Sequence, residues 1–527
     1  MHSPSTQTDS HPSPWGRLHW LAVLAAVALG LGLGWRDRAP EVSLGGDEAT
    51  HVALSYSLEH GGYQDEFIAG SPPHIQYPPG TAIWFMTIRQ IFGPNLDWAR
   101  AANLILLGLT ALLIGDAVRR LGTPWLGVSA VSVVALNPAL LQVAGTLLSD
   151  SLYIALATLS VWATLRADSD WERRWWILAT SAGIAAFLTR TVGIALLFGL
   201  VGWYCLRRRW ALAALTGTLF SMVVLGWAAY LYTRAPSAMG SSYMANLAPV
   251  LDQPSVALTF TQGAWRHLKF YVLFLPGGLF LPTIGGTPID NLAWYLVLAA
   301  CGGFGMWKLA RQWPATVATL IVYFLILLAW RWQVERLMLP LFPSGLAALL
   351  VGTYGLTHRM RARSPAMIGV GLAMVMSGSS LLEKMRHPRW AECDRSNPYG
   401  TPSCFNPKST AMVRAAWVIR DNFAANAVIA TSQPATIHYF SGRRTLPLEK
   451  AVDQMAGSQV PSTVTKPQAT VWLIQRPNQT ETRVYRILRK HCRRFREVAS
   501  VEPPFLLLRA SNSHNEEGDD ACPLLQE

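Results

Sequence analysis

The residues best suited to chemistry in this sequence are carboxylates and arginines at the edges of apolar segments. Asp47 and Glu48 open a polar segment between the first two apolar runs, and Asp150, Arg190 and Arg336 stand at the ends of later runs. Ionisable groups near hydrocarbon are costly and are commonly functional. A carboxylate can take the proton of a hydroxyl, while guanidinium groups can hold a phosphate. The mixture predicts a site that performs both tasks.

Each of these residues also has a simpler structural explanation. Asp47 is a good N-cap for the segment that follows it, and it could cap and catalyse together. Glu48 is typical of first-turn acids on solvated helices, and Asp150 could merely cap its own span. Arg190 and Arg336 could be interface anchors whose guanidinium groups reach the lipid headgroups.

Two further ionisable residues accompany these groups. His51 lies one turn from Asp47 on the same helical face, as a polar contact or a metal ligand. Glu335 is placed to pair with Arg331 or Arg336. We expect no metal and no other cofactor, although the group formed by Asp47, Glu48 and His51 leaves room for a divalent ion.

The composition is that of a membrane protein. Of 527 residues, 51% are hydrophobic and 14% are charged, whereas soluble proteins usually carry about a quarter charged residues. The formal net charge of +13 would suit nucleic-acid binding, but the basic residues form short clusters between apolar runs instead of one basic face. We therefore interpret the charge as topology information and predict no nucleic-acid partner.

A membrane-spanning helix needs roughly 20 apolar residues, and about eleven segments qualify. They are 18 to 35, 97 to 117, 124 to 145, 148 to 165, 174 to 189, 191 to 206, 210 to 232, 291 to 308, 313 to 330, 337 to 356 and 365 to 382. The first segment has no small-residue cleavage site at its end. It is therefore predicted to be an uncleaved span behind a disordered cytoplasmic tail, residues 1 to 17.

Positive charge falls in every second loop when the N-terminus is placed inside. The basic residues of these loops are Arg119, Arg120, Arg166, Arg173, Arg174, Arg207, Arg208, Arg209, Lys308, Arg311, Arg359, Arg361 and Arg363. Cytoplasmic loops are enriched in Lys and Arg. The loops 36 to 96 and 233 to 290, and everything after residue 382, are therefore predicted to lie outside a cytoplasmic (inner) membrane.

The outside loops carry helical patterns of their own. The runs 47 to 60 and 79 to 92 have apolar residues at helical spacing and are separated by Gly and Pro turns, so both are predicted to be short interfacial helices. The second loop has a similar aromatic stretch near 265 to 280. These segments could frame a site at the membrane surface.

After residue 382 the composition changes to that of a soluble domain, so we divide the chain into a tail, a transmembrane domain at 18 to 382 and an outer domain at 383 to 527. Strand and helix patterns alternate in the outer domain, which predicts a small α/β fold. Helices are predicted at 410 to 423 and 482 to 491. Strands are predicted at 427 to 431, 470 to 474 and 498 to 508.

Four of the six cysteines fall in this outer domain. An even set in an oxidising compartment suggests two disulfides, although sequence alone does not fix their connectivity. Local pairing would join Cys393 to Cys404 and Cys492 to Cys522. The other two cysteines fall inside spans and are predicted to be buried small hydrophobic residues: Cys205 and Cys301.

Several motifs occur in an order that is shared with a known enzyme superfamily. GGDEATHVALSYSLEHGGY follows the first span, a PPG turn follows HIQY, LLSDSLYIALATL carries a charged residue, and ERLMLPLFP lies near the last spans. This succession, over roughly residues 18 to 354, resembles the type-C glycosyltransferases, in particular the protein O-mannosyltransferase and aminoarabinose transferase superfamily. The piece AVIATSQPATIHYFSGRRTLP resembles the soluble C-terminal domain of many bacterial members.

The resemblance implies a fold class and an activity. The fold would be a polytopic α-helical membrane protein of about eleven transmembrane helices with a small C-terminal α/β extracytoplasmic domain. The activity would be metal-independent transfer of a sugar from a polyprenyl-phosphate-linked donor to a lipid, protein or glycan acceptor, amid membrane lipids. Asp47 matches the family's base or acceptor-orienting carboxylate, and Asp150 matches its second acid. Arg336, and after it Arg190, would stabilise the departing phosphate.

One departure from the family pattern concerns the turn of the first loop. Many members have Lys before the two prolines, where a cation would contact phosphate, whereas this chain has Tyr77. His74, Gln76 and Tyr77 are therefore interpreted as neutral hydrogen-bond donors or as a stacking face within the substrate-binding site.

Two other functions fit a membrane protein of this composition. A transporter or flippase for a lipid-linked glycan would place its ionisable groups near mid-membrane, but here the charges gather in the outside loops. An inactive scaffold whose outer domain binds a partner would be insensitive to a change at Asp47. The sequence favours an inverting glycosyltransferase with Asp47 as the base.

Overall fold

The structure is a computed structural model of the chain. It describes residues 14–42, 47–170, 173–234, 256–271, 292–330, 335–360, 364–386, 393–394, 398–399, 404–405, 407–455, 471–475, 488, 495–499, 501, 503 and 505–510. The predicted helix at 482 to 491 and the predicted pair Cys492 and Cys522 lie outside these residues, apart from residue 488.

Helices dominate the described part of the chain. In chain order they are α1 (Arg17–Arg36), α2 (Asp47–Glu59), α3 (Gly80–Phe92), α4 (Leu96–Leu121), α5 (Pro124–Leu136), α6 (Pro138–Ala144), α7 (Asp150–Asp170), α8 (Arg173–Thr189), α9 (Ile194–Leu206), α10 (Trp210–Arg234), α11 (Val256–Lys269), α12 (Leu292–Gln312), α13 (Pro314–Ala329), α14 (Phe342–Arg359), α15 (Pro365–Arg386), α16 (Pro407–Asn422), α17 (Pro434–Ser441) and α18 (Leu448–Met455). Two 3-10 helices, Thr191–Gly193 and Glu335–Leu341, precede α9 and α14.

Several of these helices are long and apolar enough to cross a membrane. Five qualify among the described residues, or six if the bent pair of α5 and α6 counts as one span. The chain is therefore a multi-pass membrane protein. The predicted count of eleven spans stays a prediction, since helices such as the apolar stretch Pro314–Ala329 fall short of a full span.

The predicted span 124 to 145 is interrupted in the structure. The pair α5 and α6 bends by 55° where they meet. Pro138 begins α6 and has no N–H to donate to the preceding turn, so a continuous helix would lose a bond there. The side chain of Asn137 instead accepts a hydrogen bond from the backbone N–H of Leu140 at 3.1 Å and starts the second helix.

The first loop contains the two short helices that its sequence predicts. Helices α2 and α3 share a cluster of buried apolar side chains, including Val52, Phe85 and Ile88. Leu147, at the start of the chain segment that leads into α7, belongs to the same cluster. This core fixes the loop helices on the ends of the apolar helices instead of leaving them free on the surface.

The last described part of the chain forms a mixed five-stranded sheet. Its strands are β1 (Val428–Thr431), β2 (Arg444–Pro447), β3 (Val471–Gln475), β4 (Phe495–Ala499) and β5 (Phe505–Ala510), in the order β2-β1-β3-β5-β4. The first three are parallel, and β5 pairs antiparallel with both neighbours. The single strand predicted at 498 to 508 is therefore wrong, because the chain reverses direction there to form a hairpin.

The cysteines of the described residues follow the prediction except at Cys205, which is only partly buried. A disulfide joins Cys393 to Cys404. Cys205 and Cys301 are free, and Cys301 is buried. The separate extracytoplasmic location of residues 383 to 527 stays a prediction.

Candidate active site

A cavity of about 650 Å³ opens between the first loop and the helix ends beside it. One end is lined by polar side chains: Asp47, His51, Gln76, Tyr77, Arg190 and Arg336. The other walls are mostly apolar: Phe187, Val192, Ile194, Val224, Trp227, Leu231, Ile326, Leu327, Trp330 and Leu337. The cavity could therefore hold a ligand that has both a charged group and an apolar chain.

Asp47 is the first residue of α2, and both oxygens of its carboxylate are engaged. The hydroxyl of Tyr77 donates a hydrogen bond of 2.7 Å to Oδ1, and Arg336 forms an ion pair with Oδ2. Burial alone would raise the pKa of Asp47. The charge and hydrogen bond of Arg336, with the bond from Tyr77, outweigh burial and leave the pKa below its ordinary value of 3.8. Asp47 is therefore ionised at neutral pH.

A second ion pair lies behind the first. Asp150, the first residue of α7, pairs with Arg190, which follows the last residue of α8. The Asp150 side chain is only 1% exposed and does not line the cavity, whereas Arg190 does. Arg336 interacts electrostatically with Asp150 as well as with Asp47. The two acids and two arginines form one charge-balanced group.

A close contact between helix ends brings the first-loop turn to this group. Gly80 begins α3 against the end of α8, and a Cβ atom at Gly80 would lie 2.6 Å from the carbonyl oxygen of Leu188. Only glycine permits this approach. The contact places Tyr77 and Arg190 on the same cavity.

Tyr77 is the centre of the polar turn before α3. Its hydroxyl accepts a hydrogen bond of 2.8 Å from the side chain of Gln76 while donating to Asp47. Its ring lies between two imidazoles, 4.8 Å from His51 and 5.5 Å from His74, measured between ring centres. The geometry matches a neutral hydrogen-bonding and stacking role at this position.

His51 lines the cavity one helical turn from Asp47 and is 2% exposed. Burial lowers the pKa of its imidazole from the ordinary value of 6.5 to about 3, although the Asp47 carboxylate acts in the opposite direction. The ring is therefore neutral at physiological pH. It contributes a polar atom and a flat surface to the cavity, not a positive charge.

Besides Asp150, three of the predicted site residues do not line the cavity. Glu48 is fully buried, and its charge acts on Tyr399 of the C-terminal region. One residue along a helix turns the side chain by about 100°, so Glu48 leaves the face that Asp47 and His51 share. His74 is buried behind Tyr77. Glu335 begins its 3-10 helix, and its side chain lies outside the described residues.

The cavity also includes residues that the sequence analysis did not single out. Ser149, Thr189 and Tyr323 add hydroxyl groups to its lining, and Trp227 and Trp330 add large apolar surfaces. Residues of these types are common in apolar helices and at their ends, so residue type alone does not predict a functional role for them. For Ser149 and Thr189, the available clue was their position next to Asp150 and Arg190.

The residues that the structure describes contain no group of three or more His, Cys, Asp or Glu side chains arranged to hold a metal ion. Asp47 and His51 share a face, but Glu48 does not join them. The expected absence of a metal cofactor stays a prediction.

Comparison with known proteins gives matches in structure only. No protein-family model and no curated protein matches the chain. The structure is similar to ArnT from Cupriavidus metallidurans in the apo state, with a TM-score of 0.58, 14% identity, and coverage of 93% of this chain and 98% of ArnT. ArnT bound to undecaprenyl phosphate gives a TM-score of 0.53 at 14% identity, over 94% of this chain and 99% of ArnT.

A second enzyme also matches at the level of fold. The oligosaccharyltransferase of Archaeoglobus fulgidus, tethered with an acceptor peptide, gives a TM-score of 0.51 at 13% identity, over 82% of this chain and 64% of its own. ArnT and this oligosaccharyltransferase are type-C glycosyltransferases. The resemblance that the sequence motifs indicate is thus confirmed for the fold: the chain folds as a type-C glycosyltransferase does.

Proposed function

We propose that this protein is an integral-membrane glycosyltransferase. It transfers a sugar from a polyprenyl-phosphate-linked donor to an acceptor at the outer face of the cytoplasmic membrane. The observation that carries the proposal is the Asp47–Arg336 pair at the polar end of a cavity with apolar walls. A carboxylate beside a guanidinium group is what hydroxyl deprotonation and phosphate binding require together.

The shape of the cavity suits an amphiphilic donor. A phosphate-linked sugar would occupy the end that contains Arg190 and Arg336, while the lipid chain would follow the wall formed by residues such as Trp227 and Leu327. One of the matched ArnT structures is bound to undecaprenyl phosphate. The likeness supports a lipid donor for this chain as well.

The reaction we propose is a single inverting displacement. The acceptor hydroxyl oxygen forms a bond to the anomeric carbon of the sugar, and its proton passes to the Asp47 carboxylate. The bond between the anomeric carbon and the phosphate oxygen breaks, and its electron pair remains on the lipid phosphate. Arg336 and Arg190 stabilise that developing charge.

The ion pair between Asp47 and Arg336 gives the donor a role in preparing the base. A carboxylate with a low pKa is a weak base, and Arg336 lowers the pKa of Asp47. The donor phosphate competes with Asp47 for the same guanidinium group. When the phosphate binds Arg336, Asp47 loses part of the interaction that lowers its pKa. Its pKa then rises because the carboxylate is buried, and the carboxylate becomes a stronger proton acceptor.

Further parts of the proposal concern the whole chain. We propose eleven spans, an extracytoplasmic active site and an outer α/β domain at 383 to 527. The route needs no metal ion, because Arg190 and Arg336 already supply positive charge at the cavity. The acceptor is a lipid, a protein or a glycan, and mass spectrometry of lipid-linked sugars and surface glycans in a deletion strain would identify it.

The substitution Asp47→Asn tests the assignment of the base. Asparagine keeps the size of the side chain and an oxygen that accepts from Tyr77, so the protein should insert and fold. Loss of the proton acceptor should lower transfer by about 100-fold or more. The measurement is the amount of product glycan in a deletion strain that carries either the parental or the variant gene.

Glu59→Gln is the matched control, because Glu59 ends the same helix and pairs with Arg89 at 2.5 Å, outside the cavity lining. It removes one carboxylate of α2 without touching the proposed site. Parental product levels with Asp47→Asn, at equal protein amounts in the membrane, would refute the assignment of Asp47 as the base.

A further inference from the structure

The buried His74 pairs with the partly buried Asp65 behind Tyr77. The Nδ1 atom of His74 lies 2.6 Å from Oδ1 of Asp65, and His74 is 2% exposed. Neither residue lines the cavity. We propose that Asp65 and His74 are positioning residues that hold the hydroxyl of Tyr77 against the Asp47 carboxylate.

The directions of the hydrogen bonds define the state of His74. The backbone N–H of Tyr77 donates to Nε2 of His74 at 2.9 Å. A backbone N–H can only donate, so Nε2 carries no proton. The imidazole proton is then on Nδ1 and is donated to Asp65. The Asp65 carboxylate therefore selects the one neutral tautomer that can accept from Tyr77.

The backbone of Tyr77 is held from its other side as well. The hydroxyl of Tyr63 donates to the carbonyl oxygen of Tyr77 at 2.9 Å, and the backbone N–H of His74 donates to the carbonyl oxygen of Tyr63 at 3.0 Å. The Tyr77 ring lies against the imidazoles of His51 and His74. Its N–H, its carbonyl group and its ring are thus all fixed.

The fixed hydroxyl of Tyr77 in turn fixes the base. It donates to Oδ1 of Asp47 at 2.7 Å and accepts from Gln76 at 2.8 Å. This arrangement holds the carboxylate of Asp47 in one orientation, with Oδ2 toward Arg336. A chain of direct contacts therefore runs from Asp65 through His74 and Tyr77 to the proposed base. Precise placement of reacting groups is a large part of catalytic power.

A purely structural role for the Asp65–His74 pair makes a different prediction. If the pair only supported the loop, its removal would lower transfer by a factor independent of the Tyr77 hydroxyl. If it acts through that hydroxyl, its removal should matter little once the hydroxyl is absent. A double-mutant cycle distinguishes the two cases.

The kinetic test uses Asp65→Ala, Tyr77→Phe and the double variant. Purified enzyme is added to solubilised membranes of the deletion strain, which supply donor and acceptor, and the initial rate of product formation is measured by mass spectrometry. Each single variant should lower the rate on the order of tenfold, since each removes a hydrogen bond to a carboxylate in the chain of contacts. The double variant should be no slower than Tyr77→Phe within about twofold.

Asp65→Asn is the conservative control. Its side-chain oxygen can still accept from Nδ1 of His74, so its rate should stay within about twofold of the parental rate. Multiplied losses in the double variant, or a loss with Asp65→Asn as large as with Asp65→Ala, would overturn the positioning role.

The kinetic test rests on the proposed function, because it measures sugar transfer. A second measurement is independent of sugar transfer. 3-Fluorotyrosine is introduced at position 77, and its fluorine NMR signal is recorded in detergent. Asp47→Asn should shift the signal in the parental background, because the hydroxyl loses a charged partner. In the Asp65→Ala background the signal should broaden, and Asp47→Asn should no longer shift it.

The two measurements separate the possible failures. Absence of transfer by the parental protein, together with the expected fluorine signals, would reject the proposed function and retain the positioning of Tyr77. A fluorine signal in Asp65→Ala that still responds to Asp47→Asn as the parental signal does would reject the positioning role, whatever the transfer rates.

Discussion

Arg336 contacts the proposed base and lines the cavity at the same time. Its guanidinium group pairs with Oδ2 of Asp47, and its side chain remains 33% exposed. A guanidinium group presents several N–H donors in one plane, so it can exchange a carboxylate for a phosphate without changing its position. In the proposed reaction, Arg336 takes part in both donor binding and base activation.

We predict that Arg336→Lys weakens donor binding. Lysine keeps the positive charge but loses the planar, two-pronged contact with phosphate. The affinity for undecaprenyl phosphate, measured with purified protein in detergent, should fall on the order of tenfold. Arg311→Lys is the control, because Arg311 lies over the ring of Trp307, outside the cavity lining. An affinity equal to that of the parent would assign Arg336 a structural role.

The buried imidazole of His51 predicts a pH dependence of stability. The pKa of His51 is about 3 in the folded protein and about 6.5 in an unfolded chain. Between these values the unfolded chain binds a proton that the folded protein does not. The free energy of unfolding therefore decreases as the pH falls, by about 2 kcal/mol between pH 7 and pH 5.

His51→Gln should remove this part of the pH dependence. The measurement is thermal unfolding in detergent between pH 7 and pH 5, where the melting temperature of the variant should fall less than that of the parent. His60→Gln is the control, since the His60 side chain is 68% exposed. Curves for His51→Gln and parent that run parallel over this range would contradict the prediction.

At the scale of elements, the crossing of α12 and α14 depends on small residues. A Cβ atom at Gly305 would overlap the carbonyl oxygen of Ala348, and one at Gly352 would overlap that of Cys301. Small residues let membrane helices approach closely. Since α14 continues the 3-10 helix that contains Arg336, this contact also supports the cavity.

Gly305→Ala is predicted to destabilise the protein and to reduce transfer. The added methyl group separates α12 from α14, and the 3-10 helix before α14 moves with it. Gly303→Ala is the matched control on the same helix, because a Cβ atom there meets nothing within 4 Å. Melting temperature and product formation should both fall for Gly305→Ala and stay near parental values for Gly303→Ala. Equal behaviour of the two variants would show that the close approach is not required.

At the scale of the whole molecule, the C-terminal sheet is joined to the first loop through Thr445. Its backbone N–H donates to the carbonyl oxygen of Phe67, and its carbonyl oxygen accepts from the N–H of Ala69, both at 2.8 Å. Both backbone groups of Thr445 are directed to the loop, so the ladder with β1 on the other side of the strand is formed by its neighbours. The sheet therefore braces the loop that contains Tyr77.

Thr445→Pro should loosen this joint without removing the sheet. Proline has no N–H to donate to Phe67, while an edge strand tolerates it. Hydrogen exchange at the amide of Ala69 should become faster, as followed by mass spectrometry of the peptide that covers the loop. Thr445→Val keeps the N–H and loses only the side-chain bond to Phe67 of 2.7 Å, so its effect should be smaller. Unchanged exchange in Thr445→Pro would show that other contacts hold the loop.

Sequence patterns alone were enough to predict the two helices of the first loop and the positions of the charged residues along the chain. The predicted loop helices at 47 to 60 and 79 to 92 correspond to α2 and α3, because the spacing of apolar residues and the Pro and Gly turns act locally. The basic clusters and apolar runs also indicated a membrane protein. These features depend on residues near one another in the chain, so no tertiary information was needed.

Which charged groups meet depends on the packing of segments that are distant in the chain. Asp47 and Arg336 are 289 residues apart and form one ion pair, while Glu48, next to Asp47, faces away from the cavity. The packing of a helix decides which of its faces lines a cavity. Because successive side chains differ in direction by about 100°, two neighbouring residues can lie on different faces. His74 is a second example. Its sequence position predicts a substrate-binding residue, but the packing of the first loop places it behind Tyr77, outside the cavity lining.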